Sequence, residues 1–108
     1  MNSRSKGKRG ELELAKVLRD LGYETRRGQQ FSGANGDADV VGLPGIHIEC
    51  ERVEQLNVEK ALQQAERDKR PGEIPVVMHR ANHTEWKATL RLEDLMVLYE
   101  AWRKKDER

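Results

Sequence analysis

The sequence predicts an α/β domain: a mixed β-sheet flanked by helices, in the order α-β-β-β-α-β-β-α. Three observations carry that reading. Apolar residues recur at helical spacing in segments beginning near Gly10, Val58 and Leu92. Between them lie β-branched and alternating runs, the clearest from Ile46 to Val53. Glycine and proline mark the breaks, at Gly22, Gly42, Pro44-Gly45 and Pro71-Gly72. A chain of 108 residues suffices for one modest core, so residues 1–108 are read as a single domain.

Met1 to Arg9 is polar and basic, with Lys6, Lys8 and Arg9 among its cations. It is either a flexible, frayed terminus or an arm that touches phosphates. From about Gly10 to Leu21 the pattern is helical and Gly22 closes it. Leu14, Ala15 and Leu18 fall on one stripe with Glu11 in its middle, while Glu13 falls on the solvent side. A carboxylate on a packing face needs a partner, because burying it alone is costly. Glu11 either favours the helix dipole from the first turn or points towards an acidic cluster, and the second reading is preferred.

Tyr23 to Arg27 reads as a short strand ending in Arg26 and Arg27. Gly28 to Gly36 is a polar loop beside the site, and the two arginines entering it are suited to phosphate oxygens. The central stretch follows: Val40-Val41, a Pro44-Gly45 turn, then Ile46 to Val53. With a side-chain period of two, Ile46, Ile48 and Cys50 share one face and His47, Glu49 and Glu51 the other. Asp39 adds a third carboxylate from the preceding strand. Such a face either meets water or gathers round a hard divalent cation, for which oxygen donors are the right chemistry.

Asn57 is the expected N-cap of the second helix, whose stripe Val58, Ala61, Leu62 and Ala65 suits close packing on a sheet. Gln64 borders that stripe, either solvated or reaching the site. Ile74 to Arg80 reads as a buried strand and Trp86 to Leu90 as an edge strand. The last helix, from Leu92 to about Lys104, sets Leu92, Leu95, Met96, Tyr99 and Trp102 on one face, wide enough to leave a dimer interface open.

The charge balance, 20 basic against 19 acidic residues, excludes a strongly basic overall field, so nucleic-acid contact has to come from a local patch. The single cysteine excludes an internal disulfide and fits a reducing cytosol. No apolar run approaches a membrane span and the basic N-terminus lacks the apolar stretch of a signal peptide, so the expectation is a soluble cytoplasmic protein without membrane contact.

Glu11 on the first helix, G-D-A-D with Asp39, and E-C-E after a short turn resemble the PD-(D/E)XK nuclease superfamily. Within it the chain is most similar to small Holliday-junction-resolvase-like and phage-type nucleases, over Lys8 to Arg80. The resemblance implies a restriction-endonuclease-like core, a bacterial or phage-encoded origin, and hydrolysis of DNA phosphodiesters with Mg²⁺, for which Mn²⁺ substitutes. It implies metal ligation by Asp39, Glu49, the Cys50 backbone carbonyl and Glu11, with Glu11, Asp39, Glu49 and Glu51 as the catalytic set. Lys6, Lys8, Arg9, Arg26, Arg27 and Arg52 would hold the DNA backbone of a branched, flapped or junction substrate, and the chain would act as a homodimer in recombination or repair. Asp37 has no assigned role in that pattern; it contributes through water or favours the turn.

Two positions depart from the family. Ala38 stands where the motif has proline, and Glu51 stands where it has lysine. Some restriction enzymes of the superfamily carry glutamate there. Glu51 is then a general base, a recruiter of a second ion, or the mark of a nuclease fold that has lost catalysis and serves as a DNA-binding or recombination-partner module.

Overall fold

The chain follows the predicted element order in a computed structural model that describes residues 3–29 and 38–105. The elements are α1 (Ser3–Asp20), β1 (Arg26–Arg27), β2 (Val40–Val41), β3 (Ile46–Arg52), α2 (Val58–Asp68), β4 (Ile74–Arg80), β5 (Lys87–Thr89) and α3 (Leu92–Lys105). Strand order in the sheet is the chain order, β1-β2-β3-β4-β5. The first three strands form an antiparallel meander. β3 and β4 are parallel, as a helical crossover through α2 requires, and β5 returns antiparallel.

Each face of the sheet takes one helix. Leu14 and Ala15 of α1 pack on Val40 and Ile48, with Leu18, Ile46, Cys50 and Met78 around them. On the other face Ala61 and Ala65 of α2 pack on Val77. Burying a side chain the size of Leu14 or Ile48 is worth roughly 2 kcal/mol, so these contacts hold α1 over the meander. Gly10 lets α1 pass close over β3, because an added Cβ would lie 2.7 Å from the Arg52 Cβ. Asn57 caps α2 as expected: its side chain accepts the Lys60 N–H at 3.0 Å.

Four expectations are corrected. α1 starts at Ser3, so the basic segment read as a flexible arm is helical from that residue onward. Glu11 is therefore in mid-helix, beyond the first turn, and cannot serve the helix N-terminus. Glu13 does not face open solvent; it pairs with Arg80 of β4 and, at 3.6 Å, with Arg52 of β3. The expected strand at Tyr23–Arg27 shrinks to two residues because the chain before it caps α1 instead. Tyr23 N–H donates to the Leu18 carbonyl at 3.1 Å and the buried Thr25 hydroxyl donates to the Ala15 carbonyl at 2.7 Å. Among the described residues no helix is long and apolar enough to cross a membrane.

Gly42 ends β2 with φ 125°, and a Cβ there would stand 2.3 Å from the Glu24 carbonyl oxygen. Gly42→Ala is expected to lower stability by about 3 kcal/mol, from backbone strain plus that clash. Urea unfolding followed by circular dichroism measures it, and a loss below roughly 1 kcal/mol would show that the backbone yields there.

Candidate active site

The register of β2 on β3 builds the centre. Val40 lies opposite Ile48 and the Asp39 N–H donates to the Ile48 carbonyl at 3.1 Å. One step further along the antiparallel pair brings Asp39 opposite Glu49, on the face away from Ile48. Asp39 and Glu49 come within hydrogen-bonding reach of each other. The second oxygen of Asp39 accepts the Cys50 backbone N–H at 2.8 Å, which fixes the side chain. The Pro44-Gly45 turn that sets this register closes with Ile46 N–H donating to the Leu43 carbonyl at 3.0 Å.

Burial, with the negative charge of Glu49 added, pushes the Asp39 carboxyl up from its ordinary 3.8 to about 8, while the Cys50 N–H acts in the opposite sense. The negative charge of Glu11 contributes to the same upward shift. Glu51 is half-buried and shifted up as well, first by burial and then by Glu49 and Glu11. Burial and the same carboxylates push the Cys50 thiol up, which keeps it protonated and unreactive as a nucleophile. Four carboxylates from α1, β2 and β3 thus act on one small region.

Arg27 and His47 hold the rim of that region. Arg27 Nε donates to Glu11 at 2.7 Å. His47 Nε2 lies 3.0 Å from Glu49 Oε1, with both residues buried. Arg27, expected to hold phosphate, is thus engaged by Glu11, and Arg52 donates to Asn82 at 2.9 Å while pairing with Glu13. Arg26 is exposed and lines a cavity of about 300 Å³ with Ala38, His47, Arg70 and Glu73. Lys8 and Arg9 lie on exposed positions of α1, and Gln64 is exposed on α2. Asp37 and the side chain of Lys6 lie outside the described residues, as does the stretch 30–36 of the expected loop.

The donor set fits a hard divalent cation in chemistry: the four carboxylates offer oxygens. A buried carboxylate and a half-buried one in hydrogen-bonding reach do not readily both stay ionised without a proton or a cation between them, and Asp39 carries that conflict. The cage is not preformed, however. Among the described residues no three His, Cys, Asp or Glu side chains stand close enough to enclose an ion. The Asp39–Glu49 pair is the nucleus of the site, and Glu11 and Glu51 stand outside it.

The helix-flanked mixed sheet, with an acidic pair where β2 meets β3, is a restriction-endonuclease-like fold. The chain is similar to Archaeoglobus fulgidus Hjc, a Holliday junction resolvase from an archaeal hyperthermophile, with a TM-score of 0.54 over 79% of this chain and 72% of that one. At 22% identity the likeness is one of fold. No sequence family and no curated protein matches the chain.

The sequence pattern singled out Asp39, Glu49 and Glu51 and assigned no role to two of their neighbours, His47 and Glu73. His47 was visible as the same-face neighbour of Glu49, two residues before it on an alternating strand. Glu73, 3.8 Å from the other nitrogen of His47, carried no such signal.

Proposed function

We propose that the chain is a divalent-metal-dependent DNA endonuclease that cuts branched DNA: junctions or flaps. The observation that carries the reading is the Asp39–Glu49 pair, half-buried and buried respectively, set where β2 meets β3 in a fold shared with a junction resolvase. Asp39 and Glu49 would hold a Mg²⁺ or Mn²⁺ ion, with Glu11 and the Cys50 carbonyl beside them. The chemistry such an ion supplies is polarisation of a phosphate oxygen and a more acidic water. Glu51, raised by its surroundings, is suited to take the proton from the attacking water. Lys8, Arg9 and Arg26 would set the DNA backbone without reading bases. With aromatics at 5%, the sequence offers little surface for stacking on bases, which favours recognition of DNA shape.

The deciding experiment is a Mn²⁺ titration by calorimetry run beside cleavage assays on linear, flapped and four-way DNA. Cleavage of the branched substrates that requires Mg²⁺ or Mn²⁺ is the expected result. No metal binding and no cleavage on any of the three would overturn the proposal.

A homodimer belongs to the same proposal. α3 stands largely clear of the sheet, tied to it through Arg91, which pairs with Glu66 of α2 at 2.9 Å. Its apolar residues are exposed, Leu92 at 73% and Trp102 at 64%. An apolar helix of this kind calls for a partner. The acidic first turn (Glu93, Asp94) and basic last turn (Arg103, Lys104, Lys105) make α3 self-complementary when two copies pair antiparallel. Leu95→Glu combined with Trp102→Glu is expected to weaken self-association roughly 100-fold. Sedimentation velocity reads this, and a parent that is already monomeric would remove the dimer from the proposal.

A further inference from the structure

We infer that His47 is a positioning residue that holds Glu49 for metal binding, and that Glu73 orients His47. The inference rests on the nuclease reading and adds to it two residues outside the acidic motif. His47 is 5% exposed and Glu49 6%, and Nε2 of the one lies 3.0 Å from Oε1 of the other. An ionised Glu49 accepts at that distance from the tautomer of His47 that carries its proton on Nε2. The contact stops the Glu49 carboxylate from rotating and sets the plane it shows to Asp39. It also places a polar donor beside a buried carboxylate that already meets a second one.

Glu73 stands behind His47, near enough for its charge to act on the ring and beyond hydrogen-bonding distance. The ring Nδ1 lies 3.8 Å from Glu73 Oε1. That oxygen is itself immobilised, because it accepts the Arg70 backbone N–H at 2.7 Å, and the Glu73 N–H donates to the Arg70 carbonyl at 3.1 Å across the Pro71-Gly72 turn. The Ile74 N–H then reaches the Gly45 carbonyl at 2.8 Å, locking the start of β4 to the start of β3. The order of constraint is turn, Glu73, His47, Glu49, Asp39. His47 and Glu73 both line the cavity of about 300 Å³, so the imidazole edge is reached from that side without crossing the carboxylate pair. A side chain that orients a ligand without touching the ion is the arrangement whose loss weakens metal affinity roughly 10–100-fold.

The test compares the parent with His47→Ala, His47→Gln and Glu73→Ala, reading Mn²⁺ affinity by calorimetry beside branched-DNA cleavage, with melting curves to establish folding. His47→Ala is expected to weaken Mn²⁺ at least tenfold and His47→Gln to recover most of it, since the glutamine amide presents an N–H close to the Nε2 position. Glu73→Ala is expected to fall between them, with KM for DNA unchanged in all three. A folded His47→Ala that binds Mn²⁺ as tightly as the parent overturns the inference and leaves the nuclease reading intact. If His47→Ala does not fold, Glu73→Ala decides: parent-like affinity overturns the inference and weakened affinity supports it. A parent that binds no Mn²⁺ takes down both together.

Discussion

Asp39→Asn is expected to abolish cleavage and, in metal-free buffer, to raise stability. The carboxyl is half-buried against Glu49, and its affinity for a proton in the folded state rises from 3.8 to about 8. The folded protein therefore binds that proton more tightly than the unfolded chain does. Its contribution to stability is fully present below about pH 4 and is lost as pH rises through about 8. The asparagine amide does not titrate. Its oxygen keeps the Cys50 N–H, its nitrogen donates to Glu49, and the repulsion is gone. The gain near pH 8 is expected to be on the order of 3 kcal/mol, well under the full value of the shift because the pair relaxes. For a domain of this size that is a rise of roughly 10 °C in Tm. Melting curves in EDTA at pH 5 and pH 8 check it: the parent should lose stability between the two and the variant should not. Saturating Mn²⁺ should reverse the order, because the ion stabilises only the chain that binds it. An Asn variant that melts below the parent at pH 8 would show that the carboxylates do not crowd one another.

Stability given up at the acidic pair also explains which parts of the site were legible in the sequence. Asp39, Glu49 and Glu51 could be placed because a strand alternates with a period of two and a tight turn sets the register. Helical periodicity gave the stripes of α1 and α2, and the element order gave a mixed sheet without saying which strands run parallel. The ion pairs were not legible. Arg27 meets Glu11 from 16 positions away, and Arg80 meets Glu13 from 67 away. Nothing in local spacing specifies such contacts; they follow from how α1 lies across the sheet. The start of α1 was misplaced because glycine and charged residues before Gly10 have no apolar periodicity to mark a helix. α3 shows the complementary limit. Its apolar face is plain in the sequence, yet periodicity does not say whether such a face meets its own sheet or another molecule.

Glu51→Gln is expected to cut cleavage roughly 100-fold and to remove the acid limb of the pH–rate profile. Burial, Glu49 and Glu11 all raise the proton affinity of Glu51. A base of that kind is inactive at low pH, and its contribution grows as pH rises through its shifted value. The isosteric amide keeps the volume and cannot accept the proton. Glu51→Lys asks a different question at the same position. An ammonium there faces Glu49 and Glu11, so it relieves the repulsion that Glu51 now adds, and the metal-free protein should become more stable. If Glu51 is the base, the lysine variant should cut with a flatter pH profile, because lysine works on the water by charge and not by accepting its proton at neutral pH. A silent parent that begins to cut as Glu51→Lys would make the natural chain a DNA-binding module built on a nuclease fold. An active parent whose rate and pH profile are untouched by Glu51→Gln would instead remove Glu51 from the chemistry and leave Asp39 and Glu49 to act without it.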